Sequence, residues 1–383
     1  MRAVRSEQEE IVATVREFVA RDVLPVASDL EHADEYPEEL VATLRELGLF
    51  GATIPERWGG LDLDLVTYAL VNVELARGWM SLSGILNSHA VAAWMIEAFG
   101  TDEQQDRLLP ALATGEPRAA IALTEPHAGS DLRSIRTRAE RSGNGYLVSG
   151  EKLWITNGLR AGLVVLLAQA EGGISVLLVE KEPGRTELPG LSIAPLGKLG
   201  YKGVESVSLA FDGFRCPASA LLGEGEGNGL AQFLAGMELG RINIAARGVG
   251  VATAAFESAI HYAQERVAFG KPIAEHQAIQ LKLAGMATKI EAARLLTLEA
   301  ARRKDAGERA DLEAGMAKLF ASETAAEVAL DAMRVLGGYG YSPEFPVERL
   351  YRDAPLLIVG EGTNEVQQLV IARRLLERYR IGS

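Results

Sequence analysis

The hydrophobic period of this chain changes twice, and that change restricts the possible fold more than any other feature. Near the N-terminus Ile11, Val15 and Phe18 recur at helical spacing, and Pro25 ends the pattern. Similar helical segments are predicted over 37–47, 66–76, 84–99 and 103–112. The first third of the chain is therefore predicted to be mostly helical.

From about residue 120 the pattern becomes that of short strands. Residues 163–167 are apolar, as are 174–179 apart from Ser175, and Glu171-Gly172-Gly173 joins the two stretches as a hairpin turn would. Another strand is predicted over 204–211. Because Gly and Pro turns, rather than helices, separate these strands, the pattern favours a small antiparallel barrel or sandwich over a parallel sheet.

Long helical patterns return beyond Gly229 and are predicted over 230–265, 275–304, 310–336 and 365–379. Four long helices indicate a bundle. The predicted fold class is α+β and mostly α. It comprises an N-terminal helical domain over 1–118, a middle antiparallel β-domain over 119–222 and a C-terminal four-helix bundle over 223–383. A chain of 383 residues can enclose a sizeable ligand.

Composition and charge argue against several classes of function. The formal net charge of -13 and the lack of a Lys/Arg stripe argue against a nucleic-acid partner. No two of the five histidines stand at helical ligand spacing, so no metal site is expected. No apolar run is long enough to span a membrane. Residues 1–10 resemble neither a signal peptide nor a transit peptide, so a cytoplasmic enzyme is expected.

Two stretches in the middle third place ligand-binding groups close together. In residues 124–131, Thr124 and Ser130 supply hydroxyls and Gly129 lets backbone amides approach an anion. A capped turn is the alternative interpretation of that stretch. In residues 151–158, strand alternation sends Trp154 and Thr156 to the same face, where both could address one ligand. The alternative is a Trp packed inside the barrel.

Glu361 lies between two glycines and follows the apolar segment 356–359. An apolar approach disfavours the charged form of a carboxylate, and flanking glycines let a large ligand come close to the backbone. Glu361 is therefore a candidate catalytic base. The alternative is a loop carboxylate that faces water.

Five motifs, in this order along the chain, resemble those of the acyl-CoA dehydrogenase family. They are Thr-Glu-Pro-x-Ala-Gly-Ser-Asp at 124–131, Lys-x-Trp-Ile-Thr-Asn-Gly at 152–158, Arg-Val-Ala-Phe-Gly-Lys at 266–271 with Gln277, Leu-Gly-Gly-Tyr-Gly at 336–340 followed by Arg352-Asp353, and Glu-Gly-Thr at 361–363. The resemblance covers nearly the whole chain. It implies the same order of a helical domain, a β-domain and a four-helix bundle.

The resemblance also implies FAD as the cofactor. Trp154 would lie against the isoalloxazine, the Thr156 hydroxyl near flavin N5, and Ser130 near the pyrophosphate and the thioester substrate. A second set, reaching the adenosine half from a neighbouring subunit, would comprise Arg266, Phe269 and Gln277. Assembly as a homotetramer would then complete the site. The other implied cofactor contacts are Ile121, Leu123, Thr124, Gly129, Ile155, Arg334, Gly337, Gly338, Thr363 and Glu365.

An acyl-CoA substrate follows from the same resemblance. Glu361 would remove the α-proton while the β-hydrogen leaves as hydride to flavin N5. The product would be the trans-2-enoyl-CoA, and the electrons would pass to an electron-transfer flavoprotein. Some relatives carry the base immediately before Arg241, where this chain has Gly240. The implied substrate contacts are Ser130, Glu238, Arg241 and Gly362, and a surface salt bridge is the alternative for Arg241.

The chain departs from the family pattern at two positions. Arg334 and Glu365 stand where many relatives have glutamines, and a compensating contact between them near the FAD adenosine is predicted. The acyl pocket is expected between the N-terminal helices and the bundle, with residues such as His89 and Trp94 in its wall.

The alternative functions are an acyl-CoA oxidase that uses oxygen and a non-catalytic acyl-CoA-binding scaffold. The length of the acyl chain stays open. No sequence feature points to glutaryl-type decarboxylation, which would need a cation for the distal carboxylate.

Overall fold

The structure, a computed structural model, describes residues 7–381. Its N-terminal part is helical, as predicted, and buries Val15, Phe18 and Val23 from the first helix and the π-helical turn that continues it. The helices are α1 (Glu7–Phe18), α2 (Ala27–Ala33), α3 (Glu38–Glu46), α4 (Leu65–Phe99) and α5 (Asp102–Ala113).

Helix α4 joins two of the predicted helices into one element of 35 residues. Trp79 interrupts its regular geometry with φ −157° and ψ 112°, and the indole is fully buried. Asp64 begins the helix by accepting a hydrogen bond from the Thr67 N–H at 2.6 Å. Because α4 is buried on nearly all sides beyond Trp79, polar residues in that half lie inside the protein.

The middle of the chain forms an eight-stranded sheet. Its strands are β1 (Arg118–Ala122), β2 (Arg138–Arg141), β3 (Gly145–Thr156), β4 (Ala161–Ala170), β5 (Gly173–Glu180), β6 (Glu187–Leu188), β7 (Leu191–Pro195) and β8 (Ser206–Pro217). The strand order is β1-β4-β2-β3-β8-β7-β6, and β5 pairs with β4. The predicted hairpin is confirmed as β4 and β5, which pair from Leu163 with Glu180 to Ala170 with Gly173.

The prediction of a wholly antiparallel sheet is wrong for two strand pairs. β1 runs parallel to β4, with Ala119 opposite Leu163, and β2 meets β4 in parallel at one residue pair. Parallel neighbours need a long crossover, and here β2 and β3 form it. Local turn signals report hairpins but not such crossovers, so the sequence pattern could not show this pairing.

The C-terminal part is a helical bundle with a short hairpin between its first two helices. The elements are α6 (Gly229–Glu265), β9 (Val267–Ala268), β10 (Lys271–Pro272), α7 (Gln277–Asp305), α8 (Asp311–Leu336), α9 (Val347–Val359) and α10 (Asn364–Arg378). Four of these helices match the prediction, whereas α9 is additional. Within residues 7–381, none of the helices combines the length and the apolarity that a bilayer crossing needs.

Helix α6 lies at the centre of the bundle and packs against α4, α7, α8 and α9. All ten of its residues from Arg241 to Gly250 are buried. Side chains on this stretch therefore face other helices rather than water. The contact between α4 and α6 brings the N-terminal helices and the bundle together where the acyl pocket is expected.

Candidate active site

Glu361 lies in the short loop that joins α9 to α10, and the bundle holds this loop in place. Its backbone is in the left-handed region, with φ +53°, which is uncommon for a residue other than glycine. The fully buried Lys318 donates from Nζ to the Ile358 carbonyl at 2.9 Å and to Asn364 Oδ1 at 2.7 Å. Thr363 caps α10 by accepting from the Val366 N–H. The loop is thus fixed on both sides of Glu361.

Glu361 is partly exposed as a residue, but its carboxylate oxygen Oε2 is buried. Asn87 of α4 donates from Nδ2 to Oε1 at 3.0 Å, while Oε2 is buried and has no hydrogen-bond partner. Burial raises the pKa of Glu361, and the charges of Arg247 and Arg241 together with the Asn87 hydrogen bond oppose that shift. The geometry does not fit the alternative of a water-facing loop carboxylate. It leaves one carboxylate oxygen free to accept a proton.

Gly240 of α6 lies directly against this carboxylate. A Cβ atom built on Gly240 would stand 2.7 Å from Glu361 Oε2 and 3.0 Å from its Cδ. Glycine is therefore required here for close approach rather than for a special backbone angle. The two positions at which the resemblance implies a base therefore lie in contact, and of the two only position 361 carries a carboxylate in this chain.

Trp154 is presented by an irregularity in β3. The ladder between β3 and β8 shifts register between Lys152 and Ile155, and Trp154 has φ +64°. Trp154 is 56% exposed, Ile155 is buried, and Thr156 is partly exposed. Regular strand alternation, on which the prediction relied, is therefore broken here. An exposed indole also excludes the alternative of a Trp packed inside the barrel.

The segment 123–130 is anchored from behind by a buried ion pair that sequence reasoning missed. Lys152 Nζ lies 2.8 Å from Glu125 Oε1, and both side chains are buried. Lys152 also donates to the Leu123 carbonyl, and Glu125 accepts from the N–H groups of Arg136 and Thr137. The pair therefore holds the loop against β3 next to Trp154. The signal was present, since both residues lie within the quoted motifs.

Most residues of this anchored loop that were predicted to bind a ligand remain accessible. Leu123 and Thr124 are partly exposed, and Gly129 and Ser130 are exposed, while Ile121 is buried in β1. The expected capped turn also exists, because Asp131 accepts from the Arg133 N–H at 3.2 Å. Asp131 rather than Ser130 provides that cap, so the Ser130 hydroxyl stays available to a ligand.

Replacing Lys152 with Met should lower the free energy of unfolding by about 3–5 kcal/mol, because Glu125 would remain buried without a counter-charge. Urea unfolding of the holoprotein would measure the loss, and the flavin content of the purified variant should fall as well. The matched control is Lys289→Met, whose partner Glu327 lies on the surface with both side chains about half exposed. That change should cost about 0–1 kcal/mol. Equal losses in both variants would contradict the anchoring role.

The bundle contains a cleft of about 550 Å³ that brings distant parts of the sequence together. Arg266, Gly337 and Gly338 line it, and the guanidinium of Arg266 lies 6.0 Å from the Tyr339 ring. Arg266 was predicted to contact the adenosine half of FAD, and Gly337 and Gly338 were predicted to contact the cofactor. Phe269, with φ +52°, is 97% exposed. Gln277, at the start of α7, is also exposed.

The predicted contact between Arg334 and Glu365 is not formed within the chain. Arg334 instead pairs with Asp331 at 3.1 Å, one turn earlier in α8. Glu365 is exposed in the first turn of α10, where Thr363 is the cap. Arg334 pairs within its own helix and Glu365 shares a hydrogen bond with Thr363, because such local contacts need no long-range approach.

The residues predicted near the CoA moiety are only partly brought together. Glu238 pairs with Lys304 at 2.6 Å rather than with Arg241. Arg241 is 6% exposed and its Nε has no hydrogen-bond partner. The alternative of a surface salt bridge for Arg241 is therefore wrong. Gly362 is partly exposed beside Glu361.

His89 is part of the core between α4, α5 and β1. Its Nε2 lies 2.9 Å from the Leu112 carbonyl, and Nδ1 accepts from the Ala119 N–H at 3.1 Å. Burial lowers the pKa of His89 to about 4. Both ring nitrogens are occupied, so His89 has a structural role.

Comparisons with known proteins agree with this geometry. Three family models match in order: the acyl-CoA dehydrogenase N-terminal domain at residues 5–116, the middle domain at 120–214 and the C-terminal domain at 227–376. An acyl-CoA dehydrogenase of Bacillus subtilis (strain 168) is 42% identical over 380 residues, which are 97% of this chain and 99% of the relative.

Two solved structures extend the similarity to three dimensions. Butyryl-CoA dehydrogenase from Megasphaera elsdenii superposes with a TM-score of 0.93 at 34% identity, covering 98% of this chain and 100% of that one. A glutaryl-CoA dehydrogenase from Mycobacterium smegmatis in complex with FADH2 has a TM-score of 0.91 at 30% identity, covering 99% and 96%. The chain belongs to the acyl-CoA dehydrogenase family.

Proposed function

We propose that this enzyme converts an acyl-CoA thioester to the trans-2-enoyl-CoA, with Glu361 removing the α-proton. The observation that carries the proposal is the buried, unpartnered Oε2 of Glu361, which Asn87 orients through the other oxygen. A base deprived of water and held in one position needs little reorganisation when it accepts a proton. Acyl-CoA dehydrogenation as a class follows from family membership.

FAD is the cofactor of this family, and when bound it supplies the acceptor for the β-hydrogen and its electron pair. The residues present fit it. Trp154, which is 56% exposed at a β-bulge, offers a flat surface for the flavin, and Thr156 two residues further on is partly exposed. The cleft at Arg266, Gly337 and Gly338 would hold adenosine.

The thioester oxygen needs hydrogen-bond donors when the α-proton leaves, because negative charge develops there. Across residues 7–381, no protein acceptor takes the Glu361 N–H. We assign that amide to the thioester oxygen. The same residue would then supply the base and one donor, which fixes the substrate relative to the carboxylate.

We further propose a homotetramer that passes its electrons to an electron-transfer flavoprotein. The exposed apolar side chains around α7 support assembly, since Phe269, Leu281 and Leu295 are 97%, 68% and 50% exposed. Burial of these groups against another subunit would place Arg266, Phe269 and Gln277 beside a neighbour's cofactor.

The test is an anaerobic visible spectrum of the holoenzyme before and after addition of acyl-CoAs of graded length. Bleaching of the flavin band by at least one of them is the expected result. A band that no acyl-CoA bleaches would refute the proposed reaction. The structural relatives do not choose the substrate, because one is named for butyryl-CoA and the other for glutaryl-CoA, which carries a second carboxylate.

A further inference from the structure

The two helices that contact Glu361, α4 and α6, carry buried polar side chains, four of which we call the polar cluster: Ser83 and Asn87 of α4, and Asn243 and Arg247 of α6. Each pair is one helical turn apart and therefore shares a face. All four are buried, with exposures from 0% to 3%. A pocket for a saturated hydrocarbon tail would be lined by apolar groups instead.

Hydrogen bonds connect the cluster across the two helices. Ser83 donates to Asn72 Oδ1 at 2.6 Å, and Asn243 donates from Nδ2 to the Tyr68 hydroxyl at 3.1 Å. Asn87 donates to Glu361. These three side chains therefore donate to partners within the protein, while the Oδ1 atoms of Asn87 and Asn243 have none. Arg247 also has a hydrogen-bonding neighbour, the Tyr201 side chain, but that neighbour carries no negative charge.

Arg247 is a buried cation without a paired anion. It is 3% exposed, and its Nε has no hydrogen-bond partner. Among residues 7–381, no carboxylate lies within 4.0 Å of its guanidinium, and Glu361 acts on it only at longer range. Buried charges in proteins are normally paired. An unpaired guanidinium at this depth therefore indicates that its anion comes with a ligand.

The position of Arg247 fits a substrate group. Its guanidinium lies 5.8 Å from the Tyr201 ring. The Tyr201 side chain adjoins both Arg247 and Thr156, and its hydroxyl lies against the α4 backbone at Gly84. Arg247 thus borders the space between Glu361, on the base side, and Thr156, on the flavin side. Under the proposed function the acyl group occupies that space.

We propose that Arg247 binds a second carboxylate on the acyl group, so that the substrate is a short dicarboxylic acyl-CoA. This inference rests on the proposed function. A guanidinium binds a carboxylate through two parallel hydrogen bonds, which gives both affinity and orientation. The reaction is unchanged: the α-proton goes to Glu361, the β-hydrogen leaves with its electron pair to FAD, and the second carboxylate is retained. Arg247 supplies the cation that sequence analysis did not find.

The test compares acyl-CoAs of equal length with and without the terminal carboxylate: glutaryl-CoA against pentanoyl-CoA, and adipyl-CoA against hexanoyl-CoA. The anaerobic rate of flavin reduction gives kcat/KM for each. Wild type should prefer the carboxylated member of at least one pair. Arg247→Met should lower kcat/KM for that member by about 30-fold or more beyond the loss for the neutral partner. The neutral partner should lose only what the higher pKa of Glu361 costs both substrates equally.

Arg247→Lys keeps the positive charge but cannot form two parallel hydrogen bonds to a carboxylate. It should therefore recover part of the lost rate. If Arg247 only tunes the charge of Glu361, both members of each pair would lose rate equally, which would overturn the proposal. A wild-type enzyme that prefers neither carboxylated substrate would overturn it too. Arg247→Gln serves as the second variant if Arg247→Met does not retain FAD.

A binding measurement keeps this inference separate from the proposed reaction. In the Glu361→Gln background, calorimetric titration with glutaryl-CoA and pentanoyl-CoA needs no turnover. Removing Arg247 should weaken glutaryl-CoA binding by about 30-fold or more and leave pentanoyl-CoA binding nearly unchanged. That result would support the carboxylate site even if no acyl-CoA reduced the flavin. Equal weakening of both ligands would refute it.

Discussion

Glu361→Gln is expected to slow flavin reduction by acyl-CoA by about 10²–10⁴-fold, the contribution typical of a general base. Glutamine has nearly the same shape and still offers an oxygen to the Asn87 amide, which now donates at 3.0 Å. The loop should keep its position, because Lys318 binds it through the Ile358 carbonyl and Asn364 rather than through Glu361. FAD content and acyl-CoA binding should therefore stay close to wild type.

Stopped-flow absorbance of the flavin band would measure this loss. The matched control is Glu377→Gln, which changes an exposed carboxylate on α10 that pairs with Arg374. The rate of this variant should not change.

The wild-type rate should also fall on acidification, because the base must be ionised and burial raises the pKa of Glu361 above the ordinary glutamate range. The residual rate of the Glu361→Gln variant should not show this fall at low pH. A residual rate within about 10-fold of wild type would place the base elsewhere.

The alternation of helical and strand periods was enough to predict the order of the three parts of the fold. It failed where the deciding contact is remote or where one residue interrupts a pattern. In α9, Val347, Leu350, Ala354 and Leu357 recur at helical spacing and are buried, but Pro355 obscures the helix. The parallel pairing of β1 with β4 depends on a crossover that no local signal encodes.

In the candidate site, too, the residues with local sequence signals could be predicted and those that depend on remote contacts could not. Glu361 could be selected from its neighbours in sequence, and Trp154 from a motif, because glycine flanks and motif order are local features. Asn87, Arg247 and Lys318 could not, since each acts only after α4, α6 and α8 meet around the loop of Glu361. One signal was available: polar residues inside otherwise apolar helices are rarely there without a partner.

Gly240→Ala should slow flavin reduction by about 10²-fold without loss of FAD, although alanine forms helices better than glycine by about 1 kcal/mol. The added methyl would stand 2.7 Å from Glu361 Oε2. Helix α6 cannot move away readily, because Leu239 and Arg241 on either side are buried. The carboxylate must therefore shift, and a displacement of roughly 1 Å is enough to cost about 10²-fold in rate.

The matched control for Gly240→Ala is Gly285→Ala, a helical glycine in α7 with open space around its Cβ position. That variant should react like wild type and unfold at a higher urea concentration. The double variant Gly240→Ala with Glu361→Gln separates the carboxylate from other causes. If the methyl acts only by displacing that carboxylate, it should add almost nothing once the base is gone, since effects through one group are not additive. A further 10²-fold loss in the double variant would show that Gly240 serves the substrate rather than the base.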